Sequence, residues 1–197
     1  LGKYGITHGS VVVDDSDKQR CKVTTRIFKA HKLYDKKSGG YINGQSIVLL
    51  LLVTSRVTIP VGFAFHMPDP ALTAWNKEDK QYKKRGVPPK DRPAKPPKNP
   101  AYLTKQEMAL MLLEEFRRYH PTLEIQMILA DALYATKQFM DKASSLFGGI
   151  QVISQLRHNQ NVRFRGKLIS IEKFFTQSPG VPQTIRIRGD EEVSVSV

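Results

Sequence analysis

The chain has one cysteine, Cys21, in 197 residues. That excludes an internal disulfide framework and a multi-cysteine zinc site, fits a reducing cytoplasm, and leaves a structural thiol as the expected role. Long apolar runs are also missing. The longest, IVLLLLV at 47–53, is far too short to span a bilayer and is followed by Thr54, Ser55 and Arg56, so it reads as a buried central strand. The N-terminus lacks a signal-peptide layout. Acidic residues are scarce: 18 Asp and Glu stand against 31 Lys and Arg, giving +13 and a pI near 9.9. Such a balance points to a polyanionic partner, nucleic acid or an anionic membrane surface, although a merely soluble basic protein can share it. Disorder of the whole chain is excluded by 40% hydrophobic and 25% charged residues, and the length suffices for one domain, with or without an appendage.

Apolar patterning gives a coarse order of elements. Short strands are expected at 9–13 (GSVVV), 45–54 (QSIVLLLLVT) and 57–65 (VTIPVGFAF), the last two joined as a hairpin through Ser55 and Arg56. Pro60 suits an edge strand or a bulge. Thr104 and Glu107 have capping-box spacing, and Ala109, Leu112, Leu113 and Phe116 follow at i, i+3, i+4 and i+7, so a helix with one core-facing stripe runs until Pro121. A strand at 125–130 (IQMILA), a helix from about Thr136 to Phe147 closed by Gly148 and Gly149, and a strand at 150–156 complete the regular part. Residues 162–197 read as short strands with turns at Pro179-Gly180 and Gly189-Asp190. The order β-β-β-α-β-α-β describes an α/β mixed sheet with helices on its faces.

Between Asn76 and Pro100 six prolines and many basic residues leave little to bury, so an exposed, partly polyproline-like excursion is expected. Its Lys83, Lys84 and Arg85, with Lys90, Arg92, Lys95 and Lys98, could follow a phosphate backbone, and a solvated linker is the equal alternative. The stretch containing Arg157, Asn159, Gln160, Arg163, Arg165 and Lys167 has the same two readings. His31, His66, His120 and His158 lack metal-ligand spacing, Trp75 reads as a core or loop anchor, and SGGYINGQS at 38–46 lacks phosphate-loop spacing.

Acidic residues sit where chemistry is expected. Asp14 directly follows VVV and Asp131 directly follows MILA. If those strands are neighbours, the two carboxylates meet at the carboxyl edge of the sheet, where open α/β sheets bind ligands. Converging carboxylates repel one another unless a cation lies between them, and hard oxygen donors select Mg²⁺ or Mn²⁺, the ions of two-metal phosphodiester chemistry. Taken singly, either aspartate is more often a turn residue or a helix cap.

The segments VVVDDSDKQR, HKLYDKKSGGYINGQS, IPVGFAFHMPDPALTAW, ILADALYATKQFM and ISQLRHNQNVRFRGK together resemble the DDE transposases of bacterial insertion sequences, in the subgroup whose last catalytic motif is Y-x2-R-x3-E-x6-K. The resemblance implies a ribonuclease H-like core over 1–160, a β-rich insertion beginning at 161–197, bound Mg²⁺ or Mn²⁺, double-stranded DNA as partner, and metal-dependent cleavage and strand transfer. It also implies a homodimer as the assembly of a longer protein, a bacterial cytoplasmic and nucleoid-associated setting, and no membrane partner. Residue by residue, Asp14 matches the first catalytic aspartate, with Asp15 and Asp17 as alternatives in register, and Asp131 matches the second. The third acid, a glutamate on a helix, has no match. Glu172, Asp190, Glu191 and Glu192 are expected in strand or turn contexts, so the chain reads as a catalytically incomplete piece of a longer protein, inactive alone. A stand-alone nuclease of the same fold and a non-catalytic nucleic-acid-binding protein are the rival readings.

Overall fold

The computed structural model describes residues 5–21, 23, 26–35, 38–155 and 160–177, and the backbone of 182–186 and 192–196. Its first strand, β1 (His8–Gln19), is twelve residues long and does not stop at the acids. Expecting it to end at residue 13 was wrong: no glycine, proline or asparagine interrupts Asp14 to Gln19. Strand β2 (His31–Asp35), unrecognised in the sequence, pairs antiparallel with the start of β3 (Gly40–Val53), from His31 opposite Gly44 to Asp35 opposite Gly40. Gly39, with φ +68°, makes the turn between them. In β3 residues 46, 48, 50 and 52 are buried and residues 47, 49, 51 and 53 half-buried, as a central strand covered on both faces requires.

Strand β4 (Thr58–His66) returns along β3 after a tight connection in which the Thr54 N–H donates to the Val57 carbonyl at 3.0 Å. So short a link between paired strands is antiparallel. Pro60 lies exposed on this strand, which pairs with β3 alone in the sheet order, an edge position that tolerates proline. Strand β1 also runs antiparallel to β3, since Gly9 closes against Val53 at one end and Gly44 against Lys18 at the other. Beyond β1 lie β5 (Glu124–Ala130) and β6 (Gln151–Ser154), with β1, β5 and β6 mutually parallel. The sheet order is β2-β3-β1-β5-β6, with β4 also on β3. This mixed α/β sheet is consistent with a ribonuclease H-like core.

Four α-helices occur among the described residues. The first, α1 (Pro70–Lys84), replaces the front of the expected excursion. Asp69 caps it, accepting from the Ala71 N–H at 2.9 Å, and Pro70 takes the first helical position. The proline-rich chain beyond it folds back on this helix: the Trp75 indole N–H donates to the Pro93 carbonyl at 2.9 Å, and buried Asp79 holds Lys83 at 2.6 Å and Arg92 at 3.6 Å. It is therefore not a free linker along its whole length.

Helix α2 (Lys105–Tyr119) carries the expected capping box, the Glu107 N–H donating to Thr104 Oγ1 at 3.2 Å and the Thr104 N–H to Glu107 Oε2 at 2.9 Å. Its stripe Ala109, Leu112, Leu113 and Phe116 is buried. Helix α3 (Lys137–Leu146) is capped by Thr136 and closed by Gly148 and Gly149, both at positive φ. Strands β7 (Asn161–Phe164) and β8 (Lys167–Ser170) form a hairpin whose turn residues Arg165 and Gly166 both have positive φ. Helix α4 (Ile171–Gln177) follows where strands were expected, and β9 (Pro182–Arg186) pairs antiparallel with β10 (Glu192–Ser196).

The chain divides into two compact units. One comprises 1–14, 49–63 and 109–197, the other 15–48 and 64–108. In the first, Val11, Val13, Leu50, Leu52, Leu113, Ile128, Tyr134 and Phe139 are buried. In the second, buried Gln45 is satisfied at both ends, accepting from Arg20 Nε at 2.8 Å and donating to the Phe28 carbonyl. Cys21 is exposed, so its thiol packs no core.

Candidate metal centre

Parallel pairing of β1 with β5 sets Val13 opposite Ala130. The next residue on each chain is an aspartate. Asp131 begins a short 3₁₀ turn at Ala132–Tyr134, its carboxylate accepting from the Ala132 N–H, while Ser154 on β6 donates to the Asp131 carbonyl at 2.8 Å. Asp14 and Asp131 are both exposed, and a ligand oxygen of one lies within 4.8 Å of a ligand oxygen of the other.

Two hard anionic donors this close suit a Mg²⁺ or Mn²⁺ ion by donor chemistry.

Asp15, an alternative in register to Asp14, lies in no turn. On an extended strand it continues the face of Val11 and Val13 instead, and its side chain is only 17% exposed. Lys105, first residue of α2, pairs with it through Nζ and stands 3.9 Å from Asp17. Nearby, His66 is held down to about 4 from its ordinary 6.5, chiefly by burial and then by the positive charges of Lys105, His31 and Lys29, against which Asp15 pulls upward. The imidazole is therefore neutral at pH 7. Glu107, which fixes the first turn of α2, has its carboxyl lowered to about 2 by its hydrogen bond from Lys98 and then by the Thr104 N–H, against the effect of burial.

The unbroken alternation Val11, Val13, Asp15, Asp17 is a sequence signal that could have marked Asp15 as a face residue. Lys105 also left a trace: a lysine in the first turn of a helix opposes the macrodipole, where acids are normally favoured.

The basic candidates are scattered over different elements. Lys83 and Lys84 close the last turn of α1, Arg85 caps it, and Lys83 is engaged by Asp79. Arg163 is exposed on β7, and Arg165 sits at the hairpin tip with its guanidinium 5.0 Å from the Phe164 ring centroid. Arg157 lies outside the described residues. Glu172 is exposed in the first turn of α4, which corrects the expectation of a strand or turn, and it is not part of the acidic cluster. Asp190 and Glu191 lie outside the described residues, and Glu192 begins β10.

A family model described as DDE superfamily endonuclease matches residues 6–186. The chain belongs to the DDE superfamily endonucleases. No curated protein and no solved structure matches it. Endonucleases of this superfamily typically use a divalent metal and act on DNA, and Asp14 and Asp131 form an acidic pair suited to such an ion. No helix among the described residues is long and apolar enough to cross a membrane.

Proposed function

We propose that this chain is the catalytic-core portion of a bacterial insertion-sequence transposase, cutting DNA and joining element ends to a target. Residues 1–160 would form the ribonuclease H-like core and 161–197 the start of a β-rich insertion. The observation that carries this reading is the pairing of Val13 on β1 with Ala130 on β5, which sets Asp14, within β1, beside Asp131, just past the end of β5, in a DDE superfamily endonuclease with a net charge of +13.

Asp14 and Asp131 would hold Mg²⁺ or Mn²⁺. The bound ion would activate the attacking water or 3′-hydroxyl and steady the leaving oxygen. Lys84, Arg85, Arg163 and Arg165 are the proposed phosphate contacts, with Lys83 and Arg157 as further candidates. Residues 1–197 alone are proposed to cleave DNA weakly or not at all, because no glutamate matches the third catalytic acid and Glu172, on α4, does not join Asp14 and Asp131.

Two measurements test this. Mn²⁺ should raise the melting temperature of the purified chain, and neither Asp14→Asn nor Asp131→Asn should respond. A wild-type response that survives in both variants would sink the metal site. Efficient Mg²⁺-dependent strand cleavage by 1–197, lost in Asp131→Asn, would instead overturn the proposed weakness while keeping the site.

A further inference from the structure

We propose that the exposed rings of Tyr34, Tyr41 and Phe28, set among Lys32, Lys29 and Arg20, form a stacking platform for the bases of an unpaired DNA strand. The inference rests on DNA as this chain's substrate and adds a surface that takes the strand in single-stranded form. Every residue in it belongs to one compact unit, 15–48 with 64–108.

Strand pairing builds the first half. Tyr34 on β2 is the register partner of Tyr41 on β3, so both side chains stand on one face of the hairpin. Their rings meet edge to face, with centroids 5.5 Å apart and an interplanar angle of 73°. A cross-strand pair of this kind stabilises a hairpin, but that role needs the rings only to touch each other. Here 55% of Tyr34 and 67% of Tyr41 remain exposed. Lys32, two residues before Tyr34 and therefore on its face, holds its ammonium 5.1 Å from the Tyr41 centroid.

The second half arrives from the chain before β2. Gln45 lies four residues beyond Tyr41 on β3, so alternation puts it on the same face, ~14 Å along the strand. Its side chain accepts from Arg20 Nε at 2.8 Å and donates to the Phe28 carbonyl. The turn carrying Phe28, closed by the Ala30 N–H on the Ile27 carbonyl at 3.1 Å, is thereby held over that face. The Phe28 ring is 66% exposed, and the Lys29 ammonium stands 5.4 Å from its centroid. Rings and cations thus alternate along one side of β3.

Charge selects the occupant. Between 18 and 37 the sequence places eight Lys and Arg against one acid, Asp35. A second copy of this chain would press like charges together, whereas a phosphate backbone neutralises them. The rings then decide the form of the DNA. An exposed aromatic face gains by stacking on a base, and bases inside a duplex already have both faces covered by their neighbours. Cutting one strand of a duplex leaves an end that can unpair, so the reaction of an endonuclease itself supplies such a strand.

The test is fluorescence anisotropy of the 197-residue chain with an oligothymidylate of about twelve nucleotides, an abasic strand of equal length, and a duplex. Wild type should bind the oligothymidylate roughly tenfold more tightly than the abasic strand. Tyr41→Leu and Phe28→Leu should each weaken oligothymidylate binding roughly tenfold while changing abasic and duplex affinity little, and Tyr41→Phe, which keeps the ring, should stay near wild type. The abasic comparison needs no variant, so it stands even where a leucine disturbs the hairpin. Equal affinity of wild type for oligothymidylate and abasic strand would overturn the proposal and leave phosphate contact alone. So would leucine variants that bind oligothymidylate as wild type does yet sediment with less dimer, which would make the rings a contact between copies. Wild type that binds none of the three probes would remove DNA as the substrate, and the platform with it.

Discussion

Val13 and Ala130 are register partners on parallel strands, and each is followed immediately by an aspartate. The equivalence of the two positions has an energetic corollary. A cation held between two carboxylates needs both, so their contributions are not additive. Asp14→Asn combined with Asp131→Asn should cost no more Mn²⁺ affinity than either change alone. Summed losses in calorimetry would mean that the two acids bind separate ions.

DNA affinity should depend on salt, with a slope of about 0.9 for each phosphate neutralised. Lys84 and Arg85 are exposed at the end of α1, whereas Lys83 is committed to Asp79. Replacing Lys84 and Arg85 by alanine should flatten the slope by about one to two units, and Lys83→Ala should alter it less. Fluorescence anisotropy over a salt series reads the difference, and an unchanged slope in the double variant would remove this end of α1 from the DNA contact.

His66 gives the fold a pH dependence of defined sign. The unfolded imidazole takes up a proton near 6.5, while the folded one resists until about 4. Its contribution is therefore complete above about 6.5 and declines as pH falls from there toward 4. His66→Asn should reduce the loss of urea stability across that window. Parallel pH profiles for wild type and variant would show that the imidazole carries no such linkage.

Leu113 is fully buried in the stripe of α2. Truncation to alanine should cost ~2–5 kcal/mol in urea unfolding, whereas exposed Met111 on the same helix should tolerate the change within about 0.5 kcal/mol.

A methyl group at Gly44 would stand 2.8 Å from the Lys18 carbonyl oxygen and 2.9 Å from Leu33. One of these contacts is backbone, which cannot rotate away. Gly44→Ala should destabilise by ~1–3 kcal/mol, and Gly40→Ala, with only the Ser38 hydroxyl at 3.9 Å, should cost markedly less in the same unfolding assay.

Much of this architecture was legible because local signals agreed with the final packing. Thr104 with Glu107 announced α2, Gly148 with Gly149 closed α3, and IVLLLLV could only be a covered strand. The failures have physical causes. Charged composition over 76–84 concealed α1, although Asp69-Pro70 is a strong helix start, because one buried anion, Asp79, organises the basic residues around it. Strand β2 is short and half-exposed, and its identity comes from its partner rather than from its own alternation. At the candidate site the apolar runs VVV and MILA pointed to Asp14 and Asp131, although β1 runs on through Asp14 to Gln19. Lys105 left only the trace of a cation in the first turn of a helix, since 90 residues of chain separate it from Asp15.

The long β1 strand has a consequence for sequence change. Because its side chains alternate strictly between two faces, deleting a single residue among Val11, Val12 and Val13 would not simply shorten the strand. It would exchange the faces of every residue beyond the gap, turning Asp14 toward the lysine and Asp15 toward the edge shared with Asp131. The acids would survive in composition and be lost in parity, so the tolerance of this stretch to length variation should be far lower than its tolerance to substitution among Val, Ile and Thr.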